Sequence, residues 1–179
     1  MIYLVAVATN ALEYSLGVWG STFFTDARGI SPEISASLIT ALYAGMTAGR
    51  LSGAFLSIKI SCKKLVMIAV AVLSVICIML FFDFNIVTVF VLVFVFGLAN
   101  GPVYPLMLAA TPEIVGVKIS QCVIGMEIAF AYIGCVLTHI VLGVFVKYFS
   151  IGILPIYVLI SYLLMAVVFA LFMRQTKNK

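Results

Sequence analysis

The feature that most constrains this chain is a series of long apolar stretches joined by short polar connectors. Residues 84–112, for example, contain no charged side chain. One helical crossing of a bilayer needs about 20 apolar residues, so this length leaves room for about six crossings. We therefore predict an all-α membrane protein that forms a single bundle over residues 1–179. Its six transmembrane helices are predicted at about 3–24, 33–57, 64–82, 86–110, 119–147 and 151–173.

Composition agrees with a surface that faces lipid. Charged residues make up 9% of the chain, against about 25% in a soluble domain whose outside faces water. The net charge of +4 is not concentrated on one face, so we expect no nucleic-acid partner. Four cysteines (Cys62, Cys77, Cys122 and Cys135) lack the spacing of metal ligands, and we expect no disulfide, metal or other cofactor.

The basic residues predict an orientation in the membrane. One side would carry Lys59, Lys63, Lys64, Lys118, Arg174, Lys177 and Lys179. The other side would carry Arg28 and Lys147, together with Asp26, Glu33 and Asp83. Because basic residues accumulate on the cytoplasmic side, both termini are predicted to be cytoplasmic.

Two triplets have the residues that begin a helix. Ser31-Pro32-Glu33 places a capping hydroxyl, a proline and an acidic residue in succession, as favoured at a helix amino terminus. Thr111-Pro112-Glu113 has the same form and predicts a second start, in the loop after the fourth span. Met1 stands directly on the first apolar run, which is typical of an interior point in a longer polytopic chain. We interpret the start as a truncation, a split gene or an internal start.

Small residues predict where helices pack closely. The second span carries one at every fourth position: Ala41, Gly45, Gly49, Gly53 and Ser57. Such a stripe lets two helix backbones approach each other in lipid. In the fourth span, Gly97, Gly101, Pro102 and Pro105 predict a bend or a loosened segment, which often lines a cavity and equally often serves packing.

Polar residues are distributed unevenly among the spans. They fall in span one (Asn10, Glu13, Tyr14, Trp19), span two (Arg50), span four (Asn100, Tyr104) and span five (Gln121, Glu127, Tyr132, His139). A charge at the bilayer centre costs roughly 3 kcal/mol or more, so these side chains must face protein or water. Spans one, two, four and five are therefore predicted to surround an interior, while the apolar spans three and six face lipid.

Six of these residues have side-chain chemistry that bears on function. Glu13, near the middle of its span, is a candidate for proton coupling, because burial favours the protonated form of a carboxyl group; the alternative is a glutamate satisfied by helix–helix hydrogen bonds. For Glu127, the sequence favours the two interpretations equally. We interpret His139 as a packed histidine and Arg50 as a structural or gating residue. Trp19 and Tyr14 are either interface anchors or surfaces against a ligand.

Four segments resemble helices of the major facilitator superfamily. Residues 45–53 (GMTAGRLSG), followed by Lys59, Lys63 and Lys64, resemble its eighth helix and the following loop. Residues 13–19 (EYSLGVW) resemble the seventh helix of the fucose-permease-like branch. Residues 97–105 (GLANGPVYP) resemble the tenth helix, and residues 120–134 (SQCVIGMEIAFAYIG) the eleventh. The resemblance covers the whole chain but only the carboxy-terminal half of the family.

The resemblance implies a six-helix half of a transporter in a cell membrane, specifically a bacterial inner membrane. In that fold the first and fourth helices of each half line the cavity, and the third and sixth lie outside. The chain departs from the pattern at Ile58 and Ser61, where Asp and Gly are usual, and at Glu127 and His139, where relatives tend to have Gln and Pro.

The leading hypothesis is half of a symporter that moves a small polar solute, such as a sugar, by alternating access coupled to protons. Glu13, Asn10, Tyr14, Trp19, Asn100, Tyr104 and Glu127 would bind solute or couple its movement. Gly45, Gly49, Arg50, Gly53, Lys59, Lys63 and Lys64 would serve packing or gating. A homodimeric carrier or channel and a non-transporting remnant of a truncated gene are the alternatives. An enzyme is not expected, because the chain has no nucleophile–base pair or metal-ligand set.

Overall fold

The structure, a computed structural model, describes residues 15–177, and these are helical without a β-strand. Helix α1 covers residues 15–22 and continues into a π-helical turn, Phe23–Ala27. The helices that follow are α2 (Pro32–Ser57), α3 (Cys62–Met79), α4 (Ile86–Asn100), α5 (Val103–Val115), α6 (Val117–Phe149) and α7 (Leu154–Lys177). A short 3₁₀ turn, Ile151–Ile153, precedes α7.

Two stretches in the described part of the chain are long and apolar enough to cross a bilayer. They are Ile86–Pro112, with 27 residues, and Val117–Phe149, with 33 residues. The apolar parts of α3 and α7, Lys64–Met79 and Ile151–Met165, are shorter. Helix α2 has 26 residues, but glycines, hydroxyl residues and Arg50 dilute its apolar character. Two predicted spans therefore meet the criterion by themselves, and the full set of six stays a prediction.

The first predicted helix start is confirmed. Helix α2 begins with Pro32 in its first turn, and the Ser31 side chain accepts a hydrogen bond from the backbone N–H of Ile34 at 3.5 Å. This bond satisfies one of the amide groups that a helix leaves unpaired at its amino terminus.

The second predicted start is wrong. Thr111, Pro112 and Glu113 lie in the last turns of α5. The break comes at Gly116, whose φ of 85° suits glycine and separates α5 from α6. The Thr111 hydroxyl donates to a carboxylate on α6 instead of accepting from a backbone N–H. The hydrogen-bond partner of this hydroxyl lies on another helix, so the Thr111-Pro112-Glu113 triplet alone does not reveal the bond.

The predicted loosening of the fourth span is observed as a break. Gly101 and Pro102 form a turn between α4 and α5, which divides the predicted span in two. Proline lacks the backbone N–H that would continue the α4 hydrogen-bond ladder. The chain nevertheless continues in helical geometry, because the φ and ψ of Gly101 and Pro102 both stay in the right-handed region.

Gly45 and Gly49 of α2 lie directly against the backbone of α4, and Gly53 lies against Pro102 just after it. A Cβ atom added to Gly45 would be 2.2 Å from the Phe94 carbonyl oxygen, and one added to Gly49 would be 2.2 Å from that of Leu98. A Cβ atom on Gly53 would be 2.3 Å from the Cβ of Pro102. The two helices therefore approach each other more closely than any side chain at these positions would permit, which is the close packing that the spacing predicts.

Helices α3 and α7 each have one packed and one exposed apolar face. Their packed residues are Val66, Val70, Leu73 and Cys77 of α3 and Leu154, Val158, Tyr162 and Met165 of α7. Their exposed residues include Met67, Ile68, Val75 and Ile78 of α3 and Ile156, Ile160, Leu163 and Leu164 of α7. Helix α3 contacts α7 and α4, so the packed faces serve contacts between these helices. The exposed faces are suited to lipid.

Arg28 joins two connectors at the same end of the bundle. Its guanidinium donates to the Asp83 carboxylate and to the Leu80 carbonyl oxygen at the end of α3. The guanidinium carbon also lies 5.6 Å from the centre of the Phe23 ring. The arginine thereby holds the π-helical turn after α1 against the connector between α3 and α4.

Replacing Arg28 with alanine should destabilise this end of the bundle more than replacing Asp83 with asparagine. The Asp83 side chain is 93% exposed, so its ion pair contributes at most about 1 kcal/mol. The Arg28 side chain is 20% exposed, and its loss also removes the contacts to Leu80 and Phe23. Thermal unfolding of Arg28→Ala, Arg28→Lys and Asp83→Asn in detergent would check the order. Equal losses for Arg28→Ala and Asp83→Asn would contradict it.

Candidate functional site

Several polar side chains are buried among the described residues. They are Ser15, Ser35, Asn100, Thr111, Ser120 and Glu127. Two hydrogen-bonded pairs join helices through this set: Thr111 with Glu127 across α5 and α6, and Tyr162 with Asn100 across α7 and α4. These pairs, with the aromatic residues near them, form the candidate site.

Glu127 is buried on the longest helix. Its side chain is 3% exposed, and the Thr111 hydroxyl lies 2.9 Å from Oε2 and 3.1 Å from Oε1. Thr111 itself is fully buried. The ion pair formed within residues 15–177 joins Arg28 to Asp83, so a neutral donor, not a cation, faces the Glu127 carboxylate. A hydroxyl both donates and accepts, and it can therefore bond Glu127 in either protonation state.

Asn100 is held by the last helix. The Tyr162 hydroxyl donates to Asn100 Oδ1 at 2.8 Å, and the Tyr162 ring meets the Phe96 ring edge to face with centres 5.9 Å apart. Asn100 is 3% exposed, and its Nδ2 has no hydrogen-bond partner among the described residues. The amide oxygen thus serves helix packing, while the amide nitrogen retains its capacity to donate.

Trp19 is a residue of α1, and its side chain packs against α6. Its ring atoms Cζ2 and Cη2 are 3.6 and 3.7 Å from the position that a Cβ of Gly143 would occupy. The side chain is partly buried and packs against the apolar core. Position 143 on α6 thus leaves room for the indole.

Comparison with protein families identifies the family of the chain. A model of the Major Facilitator Superfamily matches residues 2–179. The chain belongs to the Major Facilitator Superfamily. Comparison with curated proteins gives no match. As a superfamily member with apolar helices long enough to span a bilayer, the chain is an integral membrane protein of a family that transports small solutes, not an enzyme.

In this superfamily member the predicted site residues bond to different partners. Asn10, Glu13 and Tyr14 lie outside the described residues. Asn100 bonds to α7 and Glu127 bonds to α5, so the two use separate partners. Tyr104 is partly buried in the first turn of α5. Their roles toward a solute stay predictions.

The predicted gating residues lie toward one end of the bundle. Arg50 is exposed on α2, Lys59 is exposed in the connector between α2 and α3, and Lys64 is exposed in the first turn of α3. Lys63 is in the first turn of α3. Gly45 and Gly49 contact α4, and Gly53 contacts Pro102 in the turn after α4. Gating itself stays a prediction for all of them.

The sequence patterns do not predict the role of two residues in these pairs. They predict that Thr111 caps a helix and that Tyr162 lies in an apolar span. Both donate hydrogen bonds to buried polar groups on other helices. The available signal was that a buried Glu and a buried Asn each require a donor, and hydroxyl groups are the neutral donors that membrane helices use.

Proposed function

We propose that the chain works as one half of a secondary transporter of the fucose-permease-like branch. It moves a small polar solute, a sugar in the leading version, by alternating access coupled to protons. The observation that carries the proposal is the Glu127 carboxyl group, 3% exposed on a 33-residue apolar helix and bonded to a neutral hydroxyl. A buried carboxyl group that faces no cation can be neutralised by a proton.

Proton uptake by Glu127 would change the contact between α5 and α6. The charged carboxylate accepts from Thr111, and the protonated carboxyl group can instead donate to the same hydroxyl. Removing the charge also lowers the cost of moving the group through an apolar environment. Because Thr111 lies on α5, which has 13 residues and follows the turn at Gly101 and Pro102, a change at Thr111 acts first on this short helix.

Other predicted residues complete the proposed site. Glu13 serves as a second protonatable or hydroxyl-binding group, with Asn10 and Tyr14 beside the solute. Asn100 donates through Nδ2, and Trp19 and Tyr104 pack on the solute. Both termini are cytoplasmic, and the membrane is a bacterial inner membrane. This part of the proposal is supported by the resemblance and by the positive-inside rule.

A partner with six further helices completes the cavity, either an amino-terminal half or a second copy of this chain. One face of α6 is available to such a partner, since Ile133, Val136, Leu137 and Ile140 are each 55–61% exposed. Cross-linking in membranes at native expression would separate the two cases. A dimer of this chain supports the second copy, and a heteromeric product supports the separate half.

Uptake by Glu127→Gln tests the proposed coupling. The assay uses proteoliposomes that contain the chain together with the partner that completes its cavity. With one proton per solute, a gradient of one pH unit supports up to about tenfold accumulation of a radiolabelled hexose in them. The amide cannot take up a proton, so the variant should lose this accumulation and keep solute exchange between equal concentrations.

Glu33→Gln is the matched control, because Glu33 is exposed at the start of α2. It should accumulate the hexose as the unmodified chain does. Glu13→Gln, measured in parallel, tests the second carboxyl group. Accumulation by Glu127→Gln equal to that of the control would remove Glu127 from the coupling mechanism.

A further inference from the structure

Two ring nitrogens near the contact of α1 with α6 are buried without hydrogen-bond partners among the described residues. They are Nε1 of Trp19 and Nε2 of His139. A buried polar atom left unpaired costs about 1–3 kcal/mol, so such atoms in native proteins usually bond to a group outside the polypeptide or to ordered water. The two nitrogens come from adjacent helices and therefore suggest one shared partner.

The benzene edge of the Trp19 indole, Cζ2 and Cη2, faces α6 at Gly143. The ring atom Cζ2, which lies 3.6 Å from the Cβ position of Gly143, is bonded to the same carbon as Nε1. His139 precedes Gly143 by one helical turn, about 6 Å along the axis, and on nearly the same side of the helix. Trp19 and His139 thus both lie at the contact of α1 with α6, each with one buried ring nitrogen that lacks a partner among the described residues.

The hydrogen-bond character of His139 is fixed by its other nitrogen. Nδ1 lies 2.6 Å from the Cys135 carbonyl oxygen. The Cys135 Sγ is farther from Nδ1, at 3.6 Å. Because the nearer atom is a carbonyl oxygen, which can only accept, we assign the hydrogen to Nδ1 and the acceptor role to Nε2. The Trp19 Nε1–H is a donor. The interface therefore offers one donor and one acceptor.

We infer that Trp19 and His139 form a binding position for a hydroxyl group. A hydroxyl accepts from the indole N–H and donates to Nε2 at the same time. A carboxylate or carbonyl oxygen can only accept, and an ammonium group can only donate, so each would leave one of the two nitrogens unpaired. The hydroxyl belongs to bound water or to a polyhydroxylated solute. Binding of a solute hydroxyl rests on the transport proposed above. The preference of the position for a hydroxyl group does not rest on it.

The single tryptophan makes the position directly observable. The chain contains one Trp, so the indole N–H band in the ultraviolet resonance Raman spectrum reports Trp19 alone. In the purified chain in detergent, His139→Leu removes the acceptor and should move this band to the position of an unbonded indole. His139→Gln retains an acceptor and should keep the band near its original position.

Gly143→Ala is the matched control at this interface. Its added Cβ would be at ordinary contact distance from the Trp19 ring, 3.6 Å, and should leave the hydrogen bond intact. Circular dichroism checks that each variant is folded. An indole band at the unbonded position in the unmodified chain, or an unchanged band in folded His139→Leu, would overturn the inference.

Added probes separate the two sources of the hydroxyl. A saturable change of the band with glucose that His139→Leu abolishes assigns the position to a solute hydroxyl. Sensitivity to His139→Leu without a glucose response assigns it to water. An equal response to glycine betaine, which has no hydroxyl group, would overturn the selectivity. The readout needs neither a proton gradient nor a partner half, so its failure is distinct from failure of the proposed transport.

Discussion

Replacing Gly97 with alanine should lower the free energy of unfolding by about 3 kcal/mol, the upper part of the range for overpacked interiors. The added Cβ would be 2.1 Å from the Leu42 carbonyl oxygen and 2.9 Å from the Met46 nitrogen. Both are backbone atoms of α2, so no side-chain rotation can relieve the clash. The two helices would have to separate, and other contacts along the interface would loosen with them.

The reciprocal positions on α2 should behave in the same way. Gly45→Ala and Gly49→Ala each place a methyl group 2.2 Å from a carbonyl oxygen of α4. Combining Gly45→Ala with Gly97→Ala should cost less than the sum of the single losses, because helices that have already separated accommodate the second methyl group. Thermal unfolding in detergent, followed by circular dichroism, measures these changes.

Gly125→Ala is the control for helix composition. Gly125 lies within α6, and a Cβ there has nothing within 4 Å. Alanine should stabilise the helix by up to about 1 kcal/mol, through its higher helix propensity. If Gly97→Ala and Gly125→Ala changed the unfolding temperature equally, the α2–α4 contact would not have the geometry described here.

The close approach of α2 was predictable because it depends on one periodicity within one helix. Small residues at every fourth position form a stripe regardless of what packs against it. The break after α4 was predictable for a similar reason, since Pro102 removes a backbone donor wherever it occurs in a helix. The cap formed by Ser31 was predictable as well, because Ser31 accepts from a backbone amide of its own helix, three residues later.

Features that depend on two distant segments were not predictable from local patterns. Thr111 has the sequence context of a cap, yet its hydroxyl donates to Glu127, 16 residues later. Tyr162 lies in an apolar span, and its partner Asn100 is 62 residues away. A hydroxyl in a membrane helix can bond to its own backbone or to a neighbouring helix, and only the packing of the bundle selects between them.

Replacing Tyr162 with alanine should lower the free energy of unfolding by roughly 3–5 kcal/mol, the range for an aromatic residue removed from a packed core. The Tyr162 side chain is 1% exposed and makes an edge-to-face contact with Phe96. Its loss opens a cavity between α4 and α7 and leaves the Asn100 oxygen without its donor. Tyr148→Ala is the matched control, since Tyr148 is 74% exposed.

Tyr162→Phe separates the hydrogen bond from the packing. Phenylalanine retains the ring contact with Phe96 and loses the hydroxyl that donates to Asn100. Interhelical hydrogen bonds in membrane proteins contribute about 0.6–1.7 kcal/mol, so this variant should lose well under half of what alanine loses. A double-mutant cycle with Asn100→Leu should then show coupling of the same size, because each change removes the same bond.

The same variant tests the proposed role of Asn100 in transport. With Tyr162 present, the amide oxygen is bound to α7 and only Nδ2 is available to a solute. In Tyr162→Phe the amide is no longer held and can turn, so hexose affinity in the proteoliposome assay should fall while the fold is retained. Unchanged affinity in this variant, together with coupling near zero, would show that Asn100 neither depends on Tyr162 nor reaches the solute through the geometry described here.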